Sequence, residues 1–392
     1  MAIKTAVIPK CDSVVRPLES VATPSYVLDD RKLIQNAEKL ASIKQRANCK
    51  ILLALKSFSS YSVFPLISPY LDGVACSSVN EARLGEDYFG KEAHVYSPAY
   101  SEAEMPAIVA HADHMTFNSF SQWEKFRPII KGLGKPVHCG IRLNPEFAEV
   151  GHALYNPCMP YSRFGVTAAK FRPDLLDGIS GFHMHTLCGK GAEALARTVD
   201  VLLEKFGRYF GKISWLNLGG GHTLTQDHYN VELLVKTINK IRRRFPHLTI
   251  YLEPGEAVVY DAGYLVTTVL DIIHNGMDIA IIDSSATAHM PDVLEMPYKP
   301  HIIGASEASV HPYQYRIGGV TCLSGDIVGD YSFPDPLKVG QRLIFTDMAQ
   351  YTVVKNTTFN GIPLPAIARL KADDTVEVVR TFGYDDFRTR LS

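Results

Sequence analysis

The sequence predicts an α/β protein, in which a (β/α)8 barrel of the TIM type is followed by a C-terminal, mainly β domain. Between residue 50 and about residue 255, short apolar segments alternate with amphipathic ones, a pattern typical of a parallel sheet. Eight units of strand and helix in about 200 residues match the size of a closed barrel. After about residue 264, strand-like runs separated by Gly, Pro and Asp replace the helical periodicity. An open, doubly wound sheet is the alternative for the first part.

Each predicted barrel strand is a short apolar run. In order, the runs are KILLAL (50–55), DGVAC (72–76), AHVYS (93–97), DHMTF (113–117), VHCGIRL (137–143), ISGFHM (179–184), ISWLNL (213–218) and LTIYL (248–252). Segments between them, such as SVNEARLGEDYF and AEALARTVDVLLEKFGRYF, carry apolar residues at helical spacing. This spacing predicts the helices that connect the strands.

The second domain is predicted over residues 264–392. Its strand-like runs are YLVTTVLDII, DIAIID, QYRIGGVTC, QRLIFTDM, YTVVK and TVEVV. The run TAVIP near the N-terminus is predicted to add a strand to this domain, so residues 1–22 are assigned to it. Residues 23–263 are assigned to the barrel, which we expect to start with a helix in TPSYVLDDRKLIQNAEKLASI.

The composition excludes several classes of function. A net charge of −1 over 392 residues offers no electrostatic basis for binding nucleic acid or an anionic membrane. No apolar run approaches the ~18 residues that a membrane span requires. The seven cysteines form no CxxC pair, which predicts a reducing, cytoplasmic setting and no zinc or other metal site.

Chemically active side chains follow several predicted strands of the barrel. Lys56 comes after the first strand, His183 and His185 lie on the sixth, Gly219–Gly221 follow the seventh and Glu253 follows the eighth. In a barrel of this type all the strand ends open on one face, where catalytic groups gather. We therefore expect these residues to meet at one mouth.

Together these residues match the needs of pyridoxal phosphate. A lysine amine binds the aldehyde, backbone N–H groups of a glycine turn hold the phosphate, and a carboxylate keeps the pyridine nitrogen protonated. Each residue also has a structural alternative. Lys56 could extend to solvent from a strand end, the glycines could form a flexible turn, His183 could be a core histidine, and Glu253 could begin a helix.

Longer motifs carry a resemblance over essentially the whole chain. They are ALKSFS, FHMHTLC, LNLGGGH, EPGEA, AHMPDVLEMPYKP, GGVTCLSGDIVGDYSF and MAQYTVVKNTTFNGIPLP. The sequence resembles the fold-type III, alanine-racemase-like decarboxylases of basic amino acids, and within them the branch that acts on carboxynorspermidine and carboxyspermidine. The resemblance implies a pyridoxal phosphate-dependent decarboxylase that acts on a small-molecule polyamine precursor. The alternatives are a diaminopimelate or arginine decarboxylase, a racemase, a non-catalytic carrier of the cofactor, and a plain barrel binding module.

The resemblance also implies roles for individual residues. Lys56 corresponds to the lysine that binds the cofactor aldehyde, His183 to the histidine that stacks on the ring, and Glu253 to the carboxylate at the pyridine nitrogen. Further cofactor contacts are implied for Asp72, Arg142, Thr186, Gly219, Gly220, Gly221, Gly255 and Tyr351. Cys322 corresponds to a cysteine lent to the partner subunit's active site, which implies a homodimer with shared sites.

Two departures from related families bear on the substrate. Glu256 stands where ornithine-type relatives carry arginine, and Leu323 follows Cys322 where diaminopimelate decarboxylases carry glutamate, which weakens a diaminopimelate assignment. Because a polyamine precursor carries several ammonium groups, carboxylates should meet them. The candidates are Glu256, Asp292, Glu295 and Asp326, and the alternative for each is a solvated loop carboxylate.

Overall fold

The computed structural model describes residues 12–151 and 153–392. Within these ranges, eight parallel strands close into a barrel in chain order. They follow a short first strand, β1 (Ser25–Asp29), and are β2 (Lys50–Ala54), β3 (Gly73–Cys76), β4 (Glu92–Tyr96), β5 (His114–Phe117), β6 (His138–Arg142), β7 (Gly181–His183), β8 (Trp215–Asn217) and β9 (Thr249–Leu252). The predicted barrel is confirmed. Seven of the eight apolar runs contain their whole strand, and β4 begins one residue before its run, at Glu92.

Helices connect most of the barrel strands and also occur in the second domain. They are α1 (Asp12–Glu19), α2 (Asp30–Ala47), α3 (Phe64–Ile67), α4 (Val79–Tyr88), α5 (Met105–His111), α6 (Phe120–Leu133), α7 (Ala192–Phe206), α8 (Val231–Arg244), α9 (Glu256–Val259), α10 (Ala286–His289), α11 (Asp292–Glu295) and α12 (Tyr384–Arg388). The side chains of Ser78 and Ser119 accept hydrogen bonds at the starts of α4 and α6, which satisfies N–H groups that a helix start leaves unpaired. No described helix combines the length and the apolar character needed to cross a bilayer.

The other described strands form a second, mixed sheet together with β1. They are β10 (Gly263–His274), β11 (Asp278–Ile282), β12 (Ser306–Glu307), β13 (Tyr313–Gly318), β14 (Ile327–Phe333), β15 (Arg342–Thr346), β16 (Ala366–Leu370) and β17 (Val376–Arg380). Their order is β12-β14-β13-β11-β10-β1-β16-β17, and β15 pairs with β10. The mainly β second domain is thus confirmed, although β12, β14 and β16 were not predicted.

Two predictions for this sheet are wrong. The run YTVVK (351–355) forms turns instead of a strand, because Tyr351 adopts a left-handed backbone conformation with φ 50°. The segment Ser25–Asp29 was assigned to the barrel, but it is strand β1, antiparallel to β10 and parallel to β16. The predicted strand TAVIP lies outside the described residues.

The chain divides into two compact units. The barrel unit is the continuous segment Ile34–Val258, and the sheet unit comprises the described residues up to Leu33 together with Val259–Ser392. The barrel interior holds Trp215, whose ring packs with Leu52 and Tyr251. A Cβ atom on Gly181 would lie 1.9 Å from the Trp215 ring. The neighbouring strand β7 therefore requires glycine at this position.

The histidine that ends α10 makes the stability of the sheet unit depend on pH. His289 is fully buried, and neither ring nitrogen has a hydrogen-bond partner. Burial lowers its pKa to about 4, whereas the unfolded chain has the ordinary value of about 6.5. The unfolded state therefore binds more protons, and the stabilisation present above pH 6.5 is lost as the pH falls towards 4.

We expect the free energy of unfolding to fall by roughly 2 kcal/mol between pH 7 and pH 5 through this group. Urea unfolding at the two pH values measures the change. His289→Gln should remove this part of the pH dependence, whereas His274→Gln, at an exposed position of the same unit, should keep it. An equal pH dependence in both variants would contradict the assignment.

Candidate active site

Lys56 stands at the carboxyl end of the first barrel strand. After β2 ends, the backbone N–H of the buried Leu55 still donates to the Ala75 carbonyl (3.0 Å). The strand pairing is thus carried up to the residue before Lys56, whose side chain is accessible to solvent. Its Nζ lies 3.5 Å from Nε2 of His185. The predicted position of Lys56 at the barrel mouth agrees with this geometry.

The protonation of His185 follows from its hydrogen bonds. The backbone N–H of Gly220 donates to Nδ1 (3.0 Å), so the proton of the neutral ring is on Nε2, which faces Lys56. Burial, together with the nearby positive charge of Arg142, lowers the pKa of His185 well below its usual value. The ring is therefore neutral and presents an N–H group to the lysine amine.

The environment of Lys56 favours its uncharged form. The amine is accessible but lies deep in the barrel mouth, and burial is the largest cause of its lowered pKa. The positive charge of Arg142 lowers this pKa further, while the charge of Glu253 partly offsets the effect. An unprotonated amine is the form that attacks an aldehyde, so the site is suited to covalent binding through Lys56.

Glu253 is held at both carboxylate oxygens. Asn217, the last residue of β8, donates from Nδ2 to Oε1 (2.6 Å), and His183, the last residue of β7, donates from Nε2 to Oε2 (3.3 Å). Burial opposes ionisation of Glu253, but the interaction with His183 and the hydrogen bond from Asn217 outweigh it and lower the pKa to about 2. The carboxylate is therefore ionised and fixed at the end of β9.

The glycine turn that follows β8 packs closely against the neighbouring loops. A Cβ atom on Gly220 would lie 2.0 Å from the carbonyl oxygen of Glu253, and one on Gly221 would lie 1.9 Å from that of Leu187. Gly219 and Gly221 also have positive φ values of 71° and 81°, which glycine adopts without strain. The N–H groups of Gly219 and Gly220 donate to Asn217 and His185. The turn therefore orients two side chains of the site, and the contact predicted between its glycines and the cofactor phosphate stays a prediction.

Arg142 and Thr186 lie in the same barrel unit. The buried Arg142 ends β6 and donates from Nη2 to the carbonyl of His185 (3.0 Å). The hydroxyl of Thr186 is buried and has no hydrogen-bond partner. Arg142 thus supports the loop that carries His185. The cofactor contacts predicted for Arg142 and Thr186 stay predictions.

The structure corrects the prediction for Asp72. This residue precedes β3 and lies at the amino-terminal end of the barrel, where it accepts hydrogen bonds from Lys44 Nζ (3.1 Å) and from the backbone N–H of Ile51 (2.8 Å). Lys56 follows its strand and lies at the carboxyl end. Asp72 is therefore a structural residue at the opposite end of the barrel from the cofactor position predicted for it.

Gly255 and Glu256 follow Glu253 in the turn after β9. A Cβ atom on Gly255 would lie 2.0 Å from Oγ of Ser57, so the turn packs directly on the residue after Lys56. Glu256 is the first residue of α9 and is partly exposed. Its contact with a substrate ammonium group stays a prediction.

The predicted residues of the sheet unit have different surroundings. Cys322 is exposed, and its backbone N–H donates to Asn360 Oδ1 (2.7 Å). Asp292 and Glu295 both form ion pairs with Lys355. Tyr351 is partly buried. The roles proposed for these residues stay predictions.

Asp326 was predicted to bind a substrate amine, and the structure corrects this. The side chain is only 3% exposed and accepts hydrogen bonds from Ser285 Oγ (3.0 Å), from the backbone N–H of Thr287 (3.1 Å), and from both the N–H and the hydroxyl of Thr321 (3.2 and 2.6 Å). These donors engage both oxygens of the carboxylate. Asp326 therefore supports the loop that carries Cys322.

The sequence alone predicts no role for His185 or Asn217. Both histidines lie on the predicted sixth strand, and the resemblance implies His183 as the histidine at the cofactor ring. In the structure His183 contacts Glu253, and His185 contacts Lys56. Asn217 stands directly before the LGGG turn and holds both that turn and Glu253. Its position at a strand end next to the glycines was the signal that could have indicated it.

We predict that Asn217→Ala raises the pKa of Glu253 and so changes the pH dependence of catalysis. Losing a hydrogen bond to a charged group, worth about 1.5–3 kcal/mol, should raise the pKa of Glu253 by about one to two units. The acid limb of the pH profile of kcat should move to higher pH. Asn230→Ala, which removes a comparable amide donor to Glu193 at the surface, should leave the profile unchanged. An unshifted profile in Asn217→Ala would contradict this role.

Comparison with known proteins agrees with the fold and shows the family to which the chain belongs. The family model described as pyridoxal-dependent decarboxylase, C-terminal sheet domain, matches residues 25–349. The carboxyaminopropylagmatine decarboxylase of Synechocystis sp. is 44% identical over 375 residues, which cover 95% of this chain and 96% of that protein. The carboxynorspermidine/carboxyspermidine decarboxylase of Campylobacter jejuni is 40% identical over 383 residues, which cover 95% and 99% of the two chains.

Solved structures show the same architecture. The crystal structure of carboxynorspermidine decarboxylase from C. jejuni in complex with norspermidine superposes with a TM-score of 0.88 and 38% identity, over 94% of this chain and 100% of that chain. These matches identify the protein as an enzyme and exclude the non-catalytic carrier and the binding module. The chain therefore belongs to the pyridoxal-dependent decarboxylases, within the group that includes the carboxynorspermidine/carboxyspermidine decarboxylases.

Proposed function

We propose that the enzyme decarboxylates carboxynorspermidine or carboxyspermidine and releases norspermidine or spermidine, with pyridoxal 5'-phosphate held on Lys56. The observation that carries the proposal is the full-length similarity to the C. jejuni carboxynorspermidine/carboxyspermidine decarboxylase. The norspermidine in the related crystal structure is the expected product of such a reaction.

The residues of the barrel mouth fit this cofactor. The amine of Lys56 suits the aldehyde, the ionised Glu253 suits a protonated pyridine nitrogen, and the unpartnered hydroxyl of Thr186 suits a phosphate oxygen. Because His185 contacts Lys56, it is our candidate for contact with the ring. Stacking by His183, as predicted from the sequence, remains the alternative.

When bound, pyridoxal phosphate supplies the electron sink for the electron pair that the departing carboxylate leaves behind. The protein's part is to bind, orient and control protons. Lys56 provides the amine that attaches the cofactor. Glu253, kept ionised by His183 and Asn217, holds a proton at the pyridine nitrogen through a charge-assisted hydrogen bond. Cys322 is proposed to direct the proton that replaces the lost carboxyl group.

A second candidate substrate is carboxyaminopropylagmatine. It is favoured by the 44% identity to the Synechocystis decarboxylase of that name, compared with 40% for the C. jejuni enzyme. The substrates differ in the group at the end far from the carboxylate that is lost. The agmatine derivative carries a guanidinium group there, and the spermidine derivatives carry an ammonium group. A planar guanidinium favours bidentate contact with a carboxylate, so the distal part of the site decides between them.

Steady-state kinetics with each compound tests the proposal. The assay measures CO2 release from carboxynorspermidine, carboxyspermidine, carboxyaminopropylagmatine, meso-diaminopimelate and arginine, with the cofactor present. We expect kcat/KM for one of the first three to exceed that for diaminopimelate and for arginine by at least about a hundredfold, as expected where buried polar groups recognise a substrate. A higher value for diaminopimelate or arginine would overturn the proposal.

We further propose that the enzyme is a homodimer and that each active site takes Cys322 from the other chain. The family resemblance supports this arrangement, and a two-fold symmetric contact would create two equivalent sites. The exposure of Cys322 is compatible with such a role.

Mixing two inactive variants tests the shared site. Lys56→Ala and Cys322→Ala should each have little activity alone. Random exchange in an equal mixture makes about half of the dimers mixed, each with one intact site, so about a quarter of the wild-type activity should return. If subunit exchange is demonstrated and no activity returns, the two residues act within one chain.

A further inference from the structure

The amino-terminal end of the barrel holds a cluster of potential metal ligands. Strand β4 begins with Glu92, and His94 follows two residues later. Strand β5 begins with His114, which lies beside His94 in the pairing of the two strands. One ligand atom from each of Glu92, His94 and His114 can be chosen so that all three lie within 4.8 Å of one another.

One pair in this cluster already has the spacing of zinc ligands. His94 Nε2 lies 3.4 Å from Oε2 of Glu92. Two ligand atoms at about 2.1 Å from a tetrahedral metal ion are about 3.4 Å apart. A metal ion can therefore replace the direct contact between these side chains without separating them.

His114 provides a third nitrogen. The residue is only 7% exposed, and its Nδ1 has no hydrogen-bond partner. An imidazole nitrogen that has no hydrogen bond is available to bind a metal ion. The ring of His114 is stacked on that of His94 at 3.9 Å and 10°, and must turn about χ2 to point a nitrogen at a shared ion. This turn breaks no hydrogen bond at Nδ1.

The surroundings supply outer contacts and a fourth ligand. The hydroxyl of Tyr251 donates to Oε2 of Glu92 (3.2 Å), and such a contact orients a ligating carboxylate. Lys50 forms an ion pair with the other oxygen, Oε1, and leaves Oε2 for the metal. The exposed ring of His138, at the start of β6, is 4.9 Å from that of His114. His138 or a water molecule can complete a tetrahedron.

We propose that Glu92, His94 and His114 bind one divalent cation of the zinc class at the amino-terminal end of the barrel. Imidazole nitrogen with a single carboxylate oxygen is a donor set that suits zinc, and nickel or cobalt to a lesser degree. The bound ion joins strands β4 and β5. A five-residue strand, at about 3.3 Å per residue, separates this end from the mouth that holds Lys56, so the metal stabilises the barrel and takes no part in decarboxylation.

The absence of a CxxC pair predicts no metal site, and the cluster of Glu92, His94 and His114 differs from that expectation. The ligands come from histidines that are 20 residues apart, and the barrel closure brings them together.

Zinc binding to the holoenzyme tests the proposal. EDTA-treated enzyme is equilibrated with Zn²⁺ and separated from free metal, and bound zinc and Tm are measured. We expect one site per chain, a saturable rise in Tm, and unchanged kcat. Glu92→Gln should weaken zinc binding at least about tenfold. Glu86→Gln is the matched control, because Glu86 pairs with a single surface histidine, His111, and it should bind like the wild type.

Binding that is equal in wild type and Glu92→Gln would overturn the proposal and assign the zinc to thiols such as that of Cys322. Absence of saturable binding in the wild type would also overturn it. If Glu92→Gln does not fold, the absorption spectrum of Co²⁺ bound to the wild-type enzyme identifies the ligands instead. Absorption bands of tetrahedral cobalt with nitrogen and oxygen ligands support the site, whereas a thiolate charge-transfer band contradicts it.

Discussion

Lys56→Ala is expected to lower kcat/KM by at least about a thousandfold, a loss of the size seen when a covalent catalytic group is removed. We propose Lys56 as the amine that holds the cofactor, because its pKa is lowered and it lies beside the neutral His185. In the wild type, borohydride treatment should attach pyridoxal phosphate permanently to Lys56, and peptide mapping of the purified, yellow enzyme locates the label.

The matched control is Lys170→Ala, which removes an exposed lysine of the same unit. It should retain the activity, the colour and the labelled peptide of the wild type. A label on another lysine, or substantial activity in Lys56→Ala, would show that the amine has been assigned to the wrong residue.

Glu253→Gln should retain the cofactor but lose at least about a hundredfold in kcat, which is the range measured when one preorganised electrostatic contact is removed. Glutamine keeps the shape of the side chain but has no charge with which to hold a proton on the pyridine nitrogen. Because the pKa of Glu253 is held at about 2, the carboxylate is ionised throughout the neutral range. Loss of this group should therefore lower kcat at every pH above about 4.

Cofactor content and kcat are measured together, so that loss of binding is distinguished from loss of turnover. Glu193→Gln removes a carboxylate from the first turn of α7 and should behave as the wild type. The role assigned to Glu253 fails if its glutamine variant turns over within tenfold of the wild type, with full occupancy by the cofactor.

The barrel and its mouth could be predicted because the rule that governs them is local. Parallel strands read as short apolar runs, and the residue after each run lies on the catalytic face. Lys56, Glu253 and the glycine turn follow from this rule alone. The rule fails at Asp72. A polar residue next to an apolar run can either precede or follow the strand. If it precedes the strand, as Asp72 does, it lies at the amino-terminal end of the barrel and not on the catalytic face.

Contacts between segments that are distant in the sequence could not be predicted from such local patterns. Asp326 was assigned to the substrate because of its place near Cys322, but Ser285 and Thr287, about 40 residues earlier, take up its oxygens. His183 and His185 are both histidines on one strand, two residues apart, so the sequence pattern does not distinguish them. Only their contacts in the structure do, because His183 contacts Glu253 and His185 contacts Lys56. The apolar run of β1 could not be separated from the following helix, because its partners β10 and β16 lie far along the chain.

The division of the sheet unit between the two ends of the chain has a consequence for synthesis on the ribosome. All the strands of the barrel lie within one continuous segment, which can fold as soon as it has emerged. Strand β1 leaves the ribosome first, yet its parallel partner β16 is made about 340 residues later. At about 5–20 residues per second, this delay lasts roughly 20–70 s. During that time the backbone groups of β1 lack their β16 partners, so the nascent chain exposes an unpaired strand edge that a chaperone can protect.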